Sequence, residues 1–291
     1  MPQVDDTVHL RDGRAIAYAE WGRADGPPVL YVHGTPSSRI WCPNVEATES
    51  IGVRLISVDR PGFGRSDVDP NLTIGGWPDD VVQLVDSIGI ERFAIVGWSG
   101  GGMYAAGCAA KVPDRLIAVG VVAGATGPVY EQPEGFERLD EEERRIFELA
   151  RKDRQAAAKL SADVPWLRDL PERPEILMED YEIPDGDRWF HEDPERQAAL
   201  LEAAREAVRQ GPWGVAWDYV AYLTPWGFAL EDISIEFHIW HGAQDTIIAG
   251  EDVEFWASRI PRSIVTVWPD AGHMVVSKHW EEILRMLVAL T

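Results

Sequence analysis

The chain has 291 residues, of which 45% are hydrophobic, enough for one large α/β domain or two small ones. Its formal net charge of −22 argues against nucleic acid or an anionic membrane surface as a partner. No apolar run is long enough to cross a membrane, and we expect no signal peptide, because the first residues lack a basic stretch followed by an apolar one. The two cysteines, Cys42 and Cys108, do not indicate a disulfide framework, so we expect a reducing, cytoplasmic setting.

The first 128 residues alternate between strand and helix patterns. Asp12-Gly13 between two strand-like runs predicts a β-hairpin. Continuous apolar runs are typical of strands that are buried on both faces of a parallel sheet, and they cover residues 29–32, 54–58, 93–96 and 116–122. Apolar residues at three- and four-residue steps between positions 74 and 88 predict an amphipathic helix. This order predicts a parallel α/β sheet.

Residues 129–226 form the next segment, which lacks any strand-like apolar run. Asp140 with Glu143 is a capping-box pattern at a helix start, and Asp193 followed by Pro194 predicts a second helix start, with Gly211 just past its end. The segment has 24 acidic and 13 basic residues, which is half of the chain's charge excess. We predict a helical insertion, called the insertion below, between the two parts of an α/β core at 1–128 and 227–291.

The strand and helix alternation resumes after the insertion. Runs at 237–240 and 263–267 predict strands, and residues 252–259 and 280–288 predict helices. Each of the two strands runs into a loop with a titratable residue, Asp245 in the first loop and His273 in the second. Because the carboxyl ends of parallel strands meet at one edge of the sheet, these side chains are expected to lie near each other.

The sequence Gly97-Trp98-Ser99-Gly100-Gly101 fits the pattern G-x-S-x-G between a strand and a helix. A serine nucleophile has to stand on a tight turn, and glycines two residues before and after it avoid clashes with neighbouring backbone. The start of the following helix directs backbone N–H groups at the serine, where they can stabilise an oxyanion. Ser99 is therefore the candidate nucleophile.

A serine hydroxyl needs a base within hydrogen-bond reach, and the base needs a third group to orient it. Taken singly, His273 and Asp245 would each suit an ordinary turn. Together with Ser99 they follow the chain order serine, acid, histidine at equivalent strand ends, which favours a catalytic triad. Five other histidines fit this order or position less well: His9, His191, His238, His241 and His279.

At this point the chain resembles the α/β-hydrolase family over nearly its full length. The motifs that carry the resemblance are His33-Gly34-Thr35-Pro36, Asp59 to Ser66, Gly97 to Gly101, His241 to Asp245, and Gly272-His273. The resemblance implies an eight-stranded, mostly parallel sheet with helices on both faces and a helical cap after the sixth strand. It also implies Ser99 as nucleophile, His273 as base, Asp245 as acid, and an oxyanion hole at the backbone N–H groups of Thr35 and Gly100, with no metal or organic cofactor.

The resulting prediction is hydrolysis of an ester-like bond of a small-molecule substrate through an acyl-enzyme. Branches of the family that act on epoxides or haloalkanes have an aspartate where Ser99 stands, which argues against those activities. Two other classes stay open: a carbon–carbon bond hydrolase, lyase or cofactor-independent oxygenase, and a non-catalytic module that binds a small molecule. The charge and aromatic content of the insertion favour a neutral, fairly apolar substrate. The substrate itself and the oligomeric state are not predicted.

Overall fold

The computed structural model describes residues 1–179 and 181–289. Eight strands follow the chain in this order: β1 (Val4–His9), β2 (Ala15–Gly22), β3 (Pro28–Val32), β4 (Arg54–Val58), β5 (Phe93–Trp98), β6 (Leu116–Val122), β7 (Phe237–Gly242) and β8 (Ser263–Trp268). They form one sheet in the order β1-β2-β4-β3-β5-β6-β7-β8. The pairs β1–β2 and β2–β4 are antiparallel and the other five are parallel, so the sheet is mostly parallel as predicted.

The described residues also contain thirteen α-helices: α1 (Val45–Ile51), α2 (Pro78–Ser87), α3 (Gly101–Lys111), α4 (Pro133–Arg138), α5 (Glu141–Ala150), α6 (Arg154–Ala162), α7 (Pro165–Asp169), α8 (Arg188–His191), α9 (Pro194–Ala207), α10 (Trp213–Leu223), α11 (Gly250–Arg259), α12 (Val275–Lys278) and α13 (Trp280–Val288). None of the helices in the described part of the chain is both long and apolar enough to cross a bilayer.

Both faces of the sheet are covered, which is why its central strands are continuous apolar runs. In β3, Leu30 and Val32 belong to a buried cluster with residues of α2, α3 and α11, whereas Val29 and Tyr31 belong to a second cluster with residues of α1 and α13. Alternate residues of a strand point to opposite faces, so the two clusters lie on the two sides of the sheet. The prediction of helices on both faces is confirmed.

The central strands and the hairpin lie where the sequence predicts them. The strands β4 and β6 have the predicted bounds, and Gly13 in the hairpin turn has a left-handed φ of 93°. After Pro36 the chain runs through irregular turns, and the next helix, α1, begins at Val45 with Asn44 as its cap.

The insertion is helical, with α4 to α10 and no strand among its described residues. The predicted capping box at Asp140 and Glu143 is present at the start of α5. The predicted cap at Asp193 is present at the start of α9. That helix ends at Ala207, earlier than expected, and Gly211 instead turns the chain towards α10 with a φ of 95°.

Candidate active site

Ser99 lies between β5 and α3, on the turn at the carboxyl end of a central strand. Its backbone has a left-handed φ of 52°, which L-amino acids adopt only when the surroundings fix it. Three hydrogen bonds hold this conformation: the Ser99 N–H donates to the Val122 carbonyl at 2.9 Å, and the Ser99 carbonyl accepts the N–H groups of Gly102 at 3.0 Å and of Ala125 at 3.3 Å. The serine is thus held, half-buried, at the amino end of α3.

The glycines two residues before and after Ser99 are explained by close backbone contacts. A Cβ atom at Gly97 would lie 2.2 Å from the Gly101 carbonyl oxygen. A Cβ atom at Gly101 would lie 2.1 Å from the Val32 carbonyl oxygen. Neither position can take a side chain without moving a strand or the helix start, as the sequence pattern predicts.

Asp245 and His273 lie together in the loops that follow β7 and β8. Nδ1 of His273 is 2.9 Å from Oδ2 of Asp245, and the side chains of both residues are buried. The other carboxylate oxygen of Asp245 accepts the backbone N–H groups of Ile247 and Ile248, at 2.8 and 2.9 Å. The acid is therefore fixed on both oxygens, and its contact to Nδ1 leaves Nε2 of the imidazole as the atom available to a nucleophile.

The electrostatics keep Asp245 ionised. Burial alone would raise the pKa of this carboxyl, but the charge and hydrogen bond of His273 and the two backbone N–H groups outweigh burial and lower the pKa below its ordinary value. His241 also approaches the acid, with Nδ1 at 4.0 Å from Oδ2. Burial lowers the pKa of His241, which favours its neutral form, and His273 is the histidine within hydrogen-bond distance of the acid.

Thr35 and Gly100, the two residues expected to donate to an oxyanion, are neighbours in space. A Cβ atom at Gly100 would lie 2.6 Å from Oγ1 of Thr35 and 3.7 Å from its backbone nitrogen. Both residues line the same pocket as Ser99. The structure thus forms two groups, one of Ser99 with Thr35 and Gly100 and one of Asp245 with His273. Trp98, next to Ser99, connects them by donating its indole N–H to the His273 carbonyl at 3.1 Å.

The pocket over Ser99 has a volume of about 170 Å³. The apolar part of its wall comes from the core and from the loop after Asp245, with Met103, Ala125, Ile247 and Ile248. The insertion contributes three tyrosines and two carboxylates, Tyr130, Tyr219, Tyr222, Glu143 and Asp218. Among the described residues, no lysine or arginine lines it. Burial raises the pKa of Glu143, whose carboxylate accepts the backbone N–H of Asp140, and Asp218 is paired with a buried arginine.

A second cavity of about 180 Å³ lies deeper in the insertion and shares Tyr130, Glu143, Tyr219 and Tyr222 with the first. The hydroxyl of Tyr222 donates to that of Tyr130 at 3.0 Å, and both side chains line both cavities. The far wall of the second cavity is mostly apolar and includes Ile146, Val164, Trp166 and Leu223. The two cavities together offer room for an extended apolar group.

A buried ion pair behind the pocket was not found by sequence reasoning. Asp218 of α10 pairs with Arg60 at 2.9 Å, and the side chains are 3% and 0% exposed. The same carboxylate accepts the hydroxyls of Thr35 at 2.6 Å and of Tyr104 at 2.5 Å, and Arg60 also donates to the hydroxyl of Thr35 and to the His33 carbonyl. The insertion is thereby bound to the Thr35 loop, to the loop after β4 and to α3.

Among the residues that the structure describes, the cysteines and the metal-ligating residue types form no further site. Cys42 and Cys108 are free and buried, and burial raises the pKa of the Cys42 thiol to about 12. Cys108 lies in α3 and is fully buried, as a small apolar side chain would be. In the described part of the chain, no group of three or more His, Cys, Asp or Glu side chains is arranged to hold a metal ion.

Comparison with known proteins finds sequence relatives among esterases, perhydrolases and epoxide hydrolases. A bifunctional esterase/perhydrolase of Acinetobacter calcoaceticus is 33% identical over 129 residues, which are 44% of this chain and 47% of that protein. An epoxide hydrolase of Caballeronia sordidicola is 32% identical over 208 residues, 68% of this chain and 58% of that protein. The chain therefore spans about half the length of the curated relatives that it matches.

A solved structure of a hydrolase from Pseudomonas aeruginosa PA01 superimposes with a TM-score of 0.73 over 98% of both chains, at 19% identity, which shows a shared fold. A sequence model of the alpha/beta hydrolase family matches residues 29–286, most of the chain. The eight-stranded sheet, with a strand–turn–helix around Ser99 and a helical insertion after β6, has the architecture that the sequence motifs imply. The chain belongs to the α/β-hydrolase family.

Proposed function

We propose that this protein is a serine hydrolase that cleaves an ester-like bond of a small, neutral and apolar substrate through an acyl-enzyme. The observation that carries the proposal is the Asp245–His273 pair at 2.9 Å, at the same edge of the sheet as Ser99 in its left-handed turn. A buried acid on Nδ1 orients an imidazole to accept a proton through Nε2. Ser99 lines a pocket of about 170 Å³, which has room for a small ligand group.

In the proposed mechanism, His273 takes the proton of the Ser99 hydroxyl as Oγ bonds to the substrate carbonyl carbon. The N–H groups of Thr35 and Gly100 stabilise the negative charge that develops on the carbonyl oxygen. One donor of a comparable oxyanion hole contributes about 3 kcal/mol to transition-state stabilisation. His273 returns the proton to the leaving oxygen as the carbon–oxygen bond breaks. A water molecule, deprotonated by the same imidazole, then hydrolyses the acyl-enzyme and regenerates Ser99.

The character of the pocket supports the choice of substrate class. Its wall is largely apolar and aromatic, it lacks a described cationic side chain, and one of its two carboxylates, Asp218, is paired with a buried arginine. A substrate carboxylate would find no partner there and would lose its hydration. A neutral ester requires hydrogen bonds only at its carbonyl oxygen, where the Thr35 and Gly100 N–H groups are proposed to donate.

The test is a substrate screen with the wild type and the Ser99→Ala variant, using neutral esters, lactones, amides and substrates with a cleavable carbon–carbon bond. We expect turnover of neutral esters, stoichiometric labelling by a serine-directed phosphonate, and loss of both in Ser99→Ala with thermal stability nearly unchanged. Full-rate labelling of the variant would mean that another residue is the nucleophile. Ligand-induced stabilisation without turnover would instead favour a binding module, and turnover of carbon–carbon substrates alone would favour the lyase class.

A further inference from the structure

Asp187 is a buried carboxylate of the insertion that the proposed reaction does not use. It lies at the end of a short 3-10 turn, Asp185–Asp187, directly before α8, and its residue is 0% exposed. No arginine, lysine or histidine of the described residues makes an ion pair with it, and burial lowers the pKa of the nearby His191, which favours the neutral imidazole. A charged group that is taken out of water without a counter-ion needs strong hydrogen bonds in compensation.

Those hydrogen bonds come from the loop that carries the proposed base. Oδ1 of Asp187 accepts the N–H of Gly272 at 2.9 Å, and Oδ2 accepts the N–H of Met274 at 3.1 Å. The two donors are the residues immediately before and after His273. One carboxylate therefore fixes the peptide groups on both sides of the histidine, and backbone N–H groups that bind a carboxylate form charge-assisted hydrogen bonds.

This contact requires an unusually close approach of two backbones. A Cβ atom at Gly272 would lie 2.5 Å from Oδ2 of Asp187. A Cβ atom at Gly186 would lie 2.9 Å from the backbone of Ala271. Glycine is present on both sides of the junction, so the chain brings the turn of the insertion against the histidine loop without an intervening side chain.

The same turn also reaches the loop of the acid. The N–H of Gly186 donates to the side-chain carbonyl of Gln244 at 2.8 Å, and the amide of Gln244 donates to the Pro269 carbonyl at 2.9 Å. Gln244 directly precedes Asp245. One short turn of the insertion thus connects the loops after β7 and β8, whose side chains form the acid–base pair.

We propose that Asp187 is a positioning residue for the base, which sets the place of the His273 imidazole relative to Ser99 through the two flanking peptide groups. The inference rests on the proposed function, because it assumes that His273 moves the proton. Asp187 is not among the residues that line the Ser99 pocket, so it acts on the histidine and not on substrate binding. Its loss should lower kcat with little change in KM.

The imidazole has two tasks that differ in their sensitivity to position. It removes the proton of Ser99 for every ester, but it must also protonate the leaving oxygen when that oxygen is a poor leaving group. A nitrophenolate leaves with little protonation, whereas an alkoxide depends on it. A displaced base therefore slows alkyl esters more than nitrophenyl esters, and the ratio of the two rates reports its position.

The decisive variant is Asp187→Asn, which keeps the shape but presents an N–H₂ group to one of the two peptide N–H groups. The matched control is Asp185→Asn in the same turn, since Asp185 is 82% exposed and pairs only with Arg188 among the described residues. We expect kcat for an alkyl ester to fall about 100-fold in Asp187→Asn, a loss typical of a misplaced group, with a smaller loss for the nitrophenyl ester and an unchanged control.

A purely structural role would reduce the folded fraction and slow the hydrolysis of both esters equally. If the ratio of the alkyl-ester rate to the nitrophenyl-ester rate is unchanged in Asp187→Asn, the inference is wrong. Should Asp187→Asn fail to fold, Gly272→Ala displaces the same carboxylate from the other side and is expected to change the ratio in the same direction. Ser99→Ala and His273→Ala are assayed in parallel. If these two retain activity the proposed function is wrong, whereas if they lose it and Asp187→Asn keeps the wild-type ratio, only the role of Asp187 is wrong.

Discussion

The buried pair of Arg60 and Asp218 gives the sharpest prediction for stability. We expect Asp218→Ala to lower the free energy of unfolding by about 3–5 kcal/mol, because it leaves the arginine charge buried without its partner. The structure supports a value in this range, since the carboxylate accepts two hydrogen bonds from Arg60 and one each from the hydroxyls of Thr35 and Tyr104. Both side chains are almost completely removed from water.

The control for this change is a surface pair of the insertion. Glu202 and Arg205 are 2.7 Å apart, but their side chains are 58% and 48% exposed, so Glu202→Ala should cost only about 0–1 kcal/mol. A double variant, Arg60→Met with Asp218→Leu, removes both charges and should be more stable than Asp218→Leu alone, because no unpaired charge is left behind.

The assay is urea unfolding followed by tryptophan fluorescence, with the four variants and the wild type under one set of conditions. Activity is measured on the same samples, because release of the Thr35 hydroxyl should loosen the proposed oxyanion donor and lower kcat more than it raises KM. If Asp218→Ala loses no more stability than Glu202→Ala, or if the double variant is as unstable as Asp218→Leu, the pair does not carry the energy assigned to it here.

Three further predictions follow from the site. Activity should fall on the acid side of neutrality, because a histidine base must be neutral, while the lowered pKa of Asp245 keeps its carboxylate ionised in that range. A kcat/KM profile that is flat from about pH 5 to 8 would contradict a histidine base. Tyr222→Ala should join the two cavities and move the preferred acyl chain to greater length, as measured by kcat/KM over a series of esters, whereas Tyr222→Phe should not. A neutral ester should be hydrolysed faster than its carboxylate-bearing analogue, with a gap that narrows as salt rises.

The sequence was most informative where burial on both faces forces a simple pattern. The strands β4 and β6 could be read from their apolar runs because parallel strands between two helical layers have no polar face. The start of α1 could not be predicted from the sequence, because tertiary contacts hold the chain before it. Ser38 there donates its hydroxyl to the Ala203 carbonyl of the insertion, a contact 165 residues away that has no local signature.

The same distinction applies to the candidate site. Ser99, Asp245 and His273 stand in short motifs at strand ends, so their types and order point to one chemistry. Asp187 and Asp218 stand in no motif, because the partners of Asp187 lie 85 and 87 residues away along the chain and those of Asp218 lie 114 to 183 residues away. In the sequence, each is one acid among the 24 of the insertion, and composition cannot separate a buried acid from a solvated one.

Buried and exposed acids of the insertion act differently on a substrate. Asp218 is paired and buried, so it contributes little to the long-range field, which comes from exposed acids such as Glu134 and Glu141. Salt screens the field of exposed charges within about 10 Å at 0.1 M, but it does not supply a partner for an anion inside the pocket. Raising the salt concentration should therefore remove only the part of the discrimination that arises during approach. A neutral ester should still be preferred at high salt, and a gap that closes completely would mean that the pocket itself does not reject an anion.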